Sequence, residues 1–283
     1  MKAMKRWTAL VLAMAMALAL ASCGGGSQSA APAGSDSAAP AASGTAAPAD
    51  DGDPVYGGTF TTYWSEYYNE YDASANDNRN FIDLYCNSLW AVDVDKTDTS
   101  LCETLSVDQL KGSLAESWEV SDDFTTMTVK LRQGVNFADK TAVGIDAKYD
   151  IYGGRALTAA DVKYSYDRVL GLDGVEKVVM DQTDWAGSLY MVDSVEAPDD
   201  QTVIFHFNTN NEVQVNNFMI TVLNICGPEW DQLTDEQKTD YHYAGGTGAF
   251  ILTDYVSDNT MTFVANPNYW EKDADGNQLP YLG

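Results

Sequence analysis

From Thr125 to Leu131 polar and apolar residues alternate, which places Met127, Val129 and Leu131 on one face of a strand. Ser121-Asp122-Asp123 precedes it, and such short polar side chains can bond their own backbone through a chain reversal. Trp118 and Val120 fall on the return strand, so the stretch from Leu114 to Phe137 predicts a hairpin with one apolar face. The same pattern recurs at Val192–Glu196 and Thr202–Phe207 around Pro198-Asp199-Asp200, and at Ala249–Val256 and Met261–Ala265 around Asp258-Asn259. Gly57–Trp64 reads as an opening strand, followed by an aromatic and polar loop over Ser65–Asp72.

Helices are expected in four places. Asn80–Val92 carries Phe81, Leu84, Tyr85, Leu89 and Trp90 at intervals that predict an amphipathic helix. Thr158 is placed as an N-cap, with Asp161 in the first turn, for a helix through Leu170 that turns Val162, Tyr166, Val169 and Leu170 inward. Val213–Ile225 stops before Gly227-Pro228, and Asp231–Lys238 suits a short exposed helix. Asp93–Asp108 and Lys140–Gly153 are polar loops, and Gly245-Gly246-Thr247-Gly248 is a flexible one. Strands and helices interleave, which points to an α/β or α+β class.

The start of the chain is an address. Lys2, Lys5 and Arg6 precede an apolar run from Trp7 to Leu20, shorter than the roughly 18 residues a spanning helix requires. The run ends in Leu20-Ala21-Ser22-Cys23, an order that resembles the bacterial lipobox and implies cleavage before a lipid-modified Cys23. Of the 30 residues from Gly24 to Asp53, 24 are Ala, Gly, Ser or Pro, too little to bury against the entropy of ordering, so this segment is expected to be a tether. The expected state is anchored to a membrane without spanning it.

Composition excludes several functions. With 16 basic and 42 acidic residues the chain carries −26, and removing the address takes away only basic residues. That charge argues against nucleic acid or an anionic lipid surface as partner. Three further cysteines follow Cys23. An exported location permits a disulfide, and Cys86 with Cys102 would close a short loop, while an odd count leaves at least one thiol free. There is no CxxC, and neither of the two histidines looks catalytic: His206 points away from the face of Val203, Phe205 and Phe207, and His242 sits between tyrosines. No GxSxG, HExxH or GxxxxGK occurs, so no enzyme and no cofactor is expected. Asp93-Val94-Asp95 and Asp273-Ala274-Asp275-Gly276-Asn277 lack the spacing and terminal Glu of an EF-hand loop.

In chain order, four blocks resemble the family 5 extracellular solute-binding proteins, which include the peptide, oligopeptide and nickel binders of bacterial ABC importers. They are Gly57-Gly58-Thr59-Phe60, Leu114–Glu119 with Thr126–Phe137, Leu157–Tyr166, and Gly246–Phe250 through Asn266-Pro267-Asn268-Tyr269-Trp270. The resemblance implies an α/β fold, lobe I of a two-lobed periplasmic-binding-protein-like architecture (type II, cluster C), with the second lobe largely missing beyond Gly283 and the chain a truncated product or fragment. It implies a signal over 1–22, a linker over 23–56, a sheet subdomain from 57–75 and 186–275, an inserted subdomain over 76–185, and a crossover from 276. Lys140–Gly153 is an insertion relative to the family pattern, expected as a surface excursion.

The implied partners are a peptide or similar small solute, the permease subunits of an ABC transporter, and a membrane reached through the lipid at Cys23. Ser65, Glu66, Tyr67 and Tyr68 follow the first strand and Gly246, Thr247 and Gly248 precede a late one, which makes them the candidate ligand contacts. Glu66 suits a cationic group such as a peptide α-amine, and Tyr67 and Tyr68 suit stacking or hydrogen bonding; Trp185 is a weaker candidate. The competing reading is a surface lipoprotein, or an inactive fragment, with a structural role.

Overall fold

A computed structural model describes residues 55–63, 71–74, 79–97, 105–175, 189–221, 223–257 and 259–282, all within one compact unit, Gly52–Gly283. Cys23, the tether, Ser65–Tyr68, Cys102 and Trp185 lie outside the described residues.

The hairpin predicted at 114–131 forms as β3 (Ala115–Val120) and β4 (Thr126–Leu131), with Trp118 opposite Val129 and Val120 opposite Met127. Phe124 closes its turn at φ 58, and its N–H donates to Ser121 O at 2.9 Å. The second hairpin forms as β5 (Val192–Asp199) and β6 (Thr202–Phe207). Here β4 pairs antiparallel with β6, Met127 opposite Phe205 and Val129 opposite Val203, giving a four-stranded sheet in the order β3-β4-β6-β5. One ladder therefore draws on both sides of the boundary expected near residue 186.

The period-2 pattern gives this sheet one apolar face, on which Met127, Val129, Val203 and Phe205 are fully buried. Helix α2 (Ala159–Leu170) packs there through Val162, Tyr166 and Val169, and α3 (Glu212–Ile220) through Val215, Phe218 and Met219. Tyr166, Phe205 and Phe218 meet edge to face or tilted at 4.8–5.7 Å between centroids. Each such ring contributes roughly 2–3 kcal/mol by leaving water, so this triad pins both helices to the sheet.

Three helices differ from the pattern. The expected helix over 80–92 is α1 (Arg79–Tyr85), and Trp90 opens β1 (Trp90–Val92), paired with β2 (Leu110–Gly112). Leu89 and Trp90 are buried as expected, but against a ladder, because Ser113 and Ala115 N–H groups both donate to Leu89 O. α3 stops at Ile220, since Ile225 donates to Asn87 O at 3.0 Å and Ser88 bridges Asn224 in extended pairing. The exposed helix near 231–238 shortens to α4 (Asp235–Lys238).

The late hairpin is β7 (Phe250–Val256) with β8 (Thr260–Ala265), lying over a second apolar cluster of Ile82, Tyr85, Cys86, Cys226, Trp230 and Leu252. The opening strand expected over Gly57–Trp64 does not form across Gly57–Tyr63. Gly57 and Gly58 sit at φ 96 and 85, and Gly57 N donates to Tyr281 O at 2.7 Å. Without a neighbouring ladder its apolar side chains stay exposed.

Lys140–Gly153 is only partly a surface excursion. It folds into short turns at Lys140–Val143 and Ala147–Tyr149, and Lys140 and Tyr152 are buried.

Candidate ligand-binding region

The stretch expected to contact ligand, Ser65–Tyr68, is followed by a firmly held backbone. Tyr71 is buried, and the carboxylate of Asp72 receives the fork of Arg168 on α2, Nη1–Oδ1 at 2.8 Å and Nη2–Oδ2 at 2.5 Å. The indole of Trp230 donates to Asp72 Oδ2 at 3.0 Å. Arg168 also donates to both oxygens of Asp231, at 2.8 and 3.0 Å, and Asp231 is completed by Lys238 and the hydroxyl of Tyr164.

Arg168 is 2 % exposed. Burial alone would disfavour its charge, but the hydrogen bonds and charges of Asp72 and Asp231 outweigh that and raise its pKa. For Asp231, burial pulls its pKa up, but Arg168 and Tyr164 hold it at about 2. This network fixes α2, the Trp230 turn and the chain at Asp72 as one body.

A parallel arrangement lies on the same helix. Asp161 accepts from Thr158 N–H at 2.9 Å, closing the helix start, and takes Arg155 at 2.7 and 3.0 Å; Arg155 also donates to Glu229 at 2.6 and 2.8 Å. The guanidinium lies 4.6 Å from the centroid of Phe137, which stacks on Tyr152 at 4.1 Å. The motif Leu157–Tyr166 thus carries a structural clamp.

Gly246, Thr247 and Gly248 form a packed junction, where the sequence suggested a flexible loop facing ligand. All three are buried. Gly248 N donates to Tyr85 O at 2.9 Å, Ala138 N donates to Gly246 O at 2.8 Å, and Thr247 Oγ1 donates to Asn87 Oδ1 at 3.1 Å. Trp270 Nε1 shares that same oxygen at 3.2 Å. The glycines are needed for close approach: a Cβ on Gly248 would lie 2.4 Å from Tyr85 C, and one on Gly246 2.6 Å from Tyr85 O. Their surface is spent on the end of α1.

Beneath this junction Lys140 donates through Nζ to His242 O at 2.7 Å and to Tyr149 O at 3.3 Å. Burial lowers its pKa to about 8, partly offset by the charge of Asp150. Nothing in the local sequence marks this residue, whose burial depends on partners far along the chain. Nor is Arg168 singled out, although an arginine within the inward stripe of an amphipathic helix is a signal that could have been used.

Cys86 and Cys226 are both free and buried. Burial pushes both thiols up, Cys226 to about 11, which makes them poor nucleophiles. His206 pairs with Glu196 at 3.0 Å and His242 with Asp240 at 2.6 Å. The Asp273 carboxylate is taken up internally by Asp275 N–H, Asn277 N–H and Nδ2, and the Tyr281 hydroxyl. Among the described residues no group of three His, Cys, Asp or Glu is placed to hold a metal, and no helix is long and apolar enough to cross a membrane.

Comparison with known proteins adds the following. Residues 109–283 match the bacterial extracellular solute-binding proteins, family 5, middle segment. The heme-binding protein A of Haemophilus influenzae is 28 % identical over 169 residues, covering 57 % of this chain and 29 % of that protein. The di/tripeptide-binding protein 1 of Pseudomonas aeruginosa is 29 % identical over 167 residues, covering 56 % of this chain and 30 % of that protein. The chain thus spans less than a third of the length of these relatives. In fold it is similar to the oligopeptide-binding protein AppA of Bacillus subtilis, solved with a nonapeptide, at TM-score 0.55 and 20 % identity over 81 % of this chain and 39 % of that one. HbpA2 of Haemophilus parasuis gives TM-score 0.52 and 25 % identity over 74 % of this chain and 39 % of that one.

Proposed function

Since the chain belongs to the family 5 bacterial extracellular solute-binding proteins, we propose that it serves solute capture outside the cytoplasmic membrane, with short peptides as cargo and an ABC permease as recipient. The observation that carries this is the family match over residues 109–283, which spans all three hairpins, α2 and the Gly246–Gly248 junction. Relatives named for di- and tripeptides favour peptides as cargo, and a relative named for heme keeps the solute class wider than peptides.

In this reading Ser65, Glu66, Tyr67 and Tyr68 contact the solute, with Glu66 receiving a cationic group such as an α-amine. Support comes from the Asp72 clamp just beyond them: a loop held at one end loses less entropy on binding than a free one. Gly246, Thr247 and Gly248 act one step removed, by fixing the end of α1. Cys23 carries the lipid, and the Ala/Gly/Ser/Pro-rich segment gives reach from the membrane. Closure of two lobes around the solute excludes water and strengthens the polar contacts.

The test is calorimetry with a mixed tri- to pentapeptide pool on two proteins: this chain, and a product of the same gene extended to the length of the relatives. Micromolar or tighter binding is expected for the longer product, with little heat from the chain alone, because a single lobe leaves the solute half in water. No binding by the longer product would sink the peptide reading. A gene that ends at Gly283, with no permease or ATPase gene beside it, would favour the second reading, a surface lipoprotein without transport. The coverage of under a third of the relatives keeps that reading in play.

A further inference from the structure

The two buried cysteines lie at one end of a short antiparallel pairing. Ser88 bridges Asn224, and Ile225 N donates to Asn87 O at 3.0 Å. Carrying that register two residues further sets Cys86 opposite Cys226. Cys86 also closes the last turn of α1, its N–H donating to Ile82 O at 2.7 Å, so the pairing starts directly at the helix end. A disulfide accepts Cα separations of about 4.4–6.8 Å.

Burial agrees with the register. Each cysteine is 1 % exposed, and both belong to the apolar cluster with Tyr85 and Trp230. Neither sulfur has a partner that a bridge would leave stranded. Cys86 Sγ rests 3.6 Å from Gly245 O, and Cys226 Sγ lies 3.0 Å from Ser74 Oγ, whose hydroxyl also donates to Asn224 O at 3.1 Å.

We propose that Cys86 and Cys226 are a disulfide pair, closed when the folding protein meets a disulfide oxidant. One protein thiolate attacks glutathione disulfide, or the disulfide of an exported thiol oxidase, and releases one thiol. The second protein thiolate then attacks the protein sulfur of the mixed disulfide and releases the other, so two cysteine thiols are oxidised and one external disulfide is reduced to two thiols. The bridge ties the end of α1 to the segment after α3 and closes a loop of about 140 residues, a length at which chain-entropy arguments give a disulfide its largest stabilising effect.

The sequence makes the test clean, since Cys23, Cys86, Cys102 and Cys226 fall in four separate tryptic peptides: 7–79, 80–96, 97–111 and 178–238. The full chain is refolded in glutathione redox buffer, its free thiols are blocked, and the digest is mapped by mass spectrometry without reduction. This assay is independent of where the cell puts the protein and of whether it binds peptides. Peptide 80–96 joined to 178–238 is the expected result, with a fall in Tm of several degrees on adding dithiothreitol that Cys226→Ala abolishes. A link between 80–96 and 97–111, or blocked thiols at both 86 and 226, overturns the pairing.

Discussion

At the scale of single residues, the most informative side chain is Lys140, a cation 2 % exposed whose contacts are carbonyl oxygens. Burial disfavours its charged form and brings its pKa to about 8, against 10.5 for a free lysine, while Asp150 and Asp240 restore only part of the loss. Between those values the unfolded chain binds the proton and the folded chain has released it. Stability then rises with pH across that window, and below about pH 8 the folded protein bears the cost of a buried charge. Lys140→Met removes the group. The expected outcome of urea titrations is that the parent gains on the variant from pH 8 to pH 10, whatever the offset at pH 7. Curves that stay parallel across that range would show that Lys140 is not titrating there.

At the scale of elements, what the sequence revealed and what it hid divide by the range of the interactions. Hairpins β3–β4 and β5–β6 were legible because their alternation, turn residues and pairing are all local, and α2 was legible because Thr158 and Asp161 start it within one turn. The end of α1 was not: Leu89 and Trp90 continue its apolar spacing, and only β2, some 20 residues on, turns them into a strand. The Gly246–Gly248 segment misled for the same reason. Two glycines around a threonine look mobile until Tyr85 and Asn87 are placed against them. That contrast can be measured. Gly248→Ala puts a Cβ 2.4 Å from Tyr85 C, a backbone atom that cannot turn aside, and should lower stability by about 1–3 kcal/mol through overpacking. Gly58→Ala meets nothing within 4 Å and carries only the strain of φ 85, so its loss should be about 1 kcal/mol or less. Urea midpoints for the two variants decide the matter, and equal losses would mean that the junction yields as easily as the open segment at Gly58.

At the scale of the whole molecule, 42 acidic residues face 16 basic ones, and several of the basic ones are committed inside. Arg155 and Arg168 are each held by two carboxylates, and Lys140 lies under the junction. The cations left to the surface cannot balance the acids there, so the folded chain repels itself more than the expanded one does. Salt separates the two kinds of electrostatics. Raising ionic strength from 0.01 M to 0.15 M shortens the Debye length from about 30 Å to about 8 Å, which screens repulsion between exposed carboxylates and touches the buried arginine pairs far less. Sodium chloride should therefore raise Tm, by about 2–4 °C for each kcal/mol of repulsion relieved in a chain of this size. Were surface ion pairs such as Lys111–Glu271 and Lys148–Asp146 the dominant charge effect, Tm would fall over the same range. A scan of Tm against salt at pH 7 distinguishes the two by sign alone. A rise would mean that acidity favours solubility at the expense of compactness, with cohesion resting on the sheet core and the two arginine clamps.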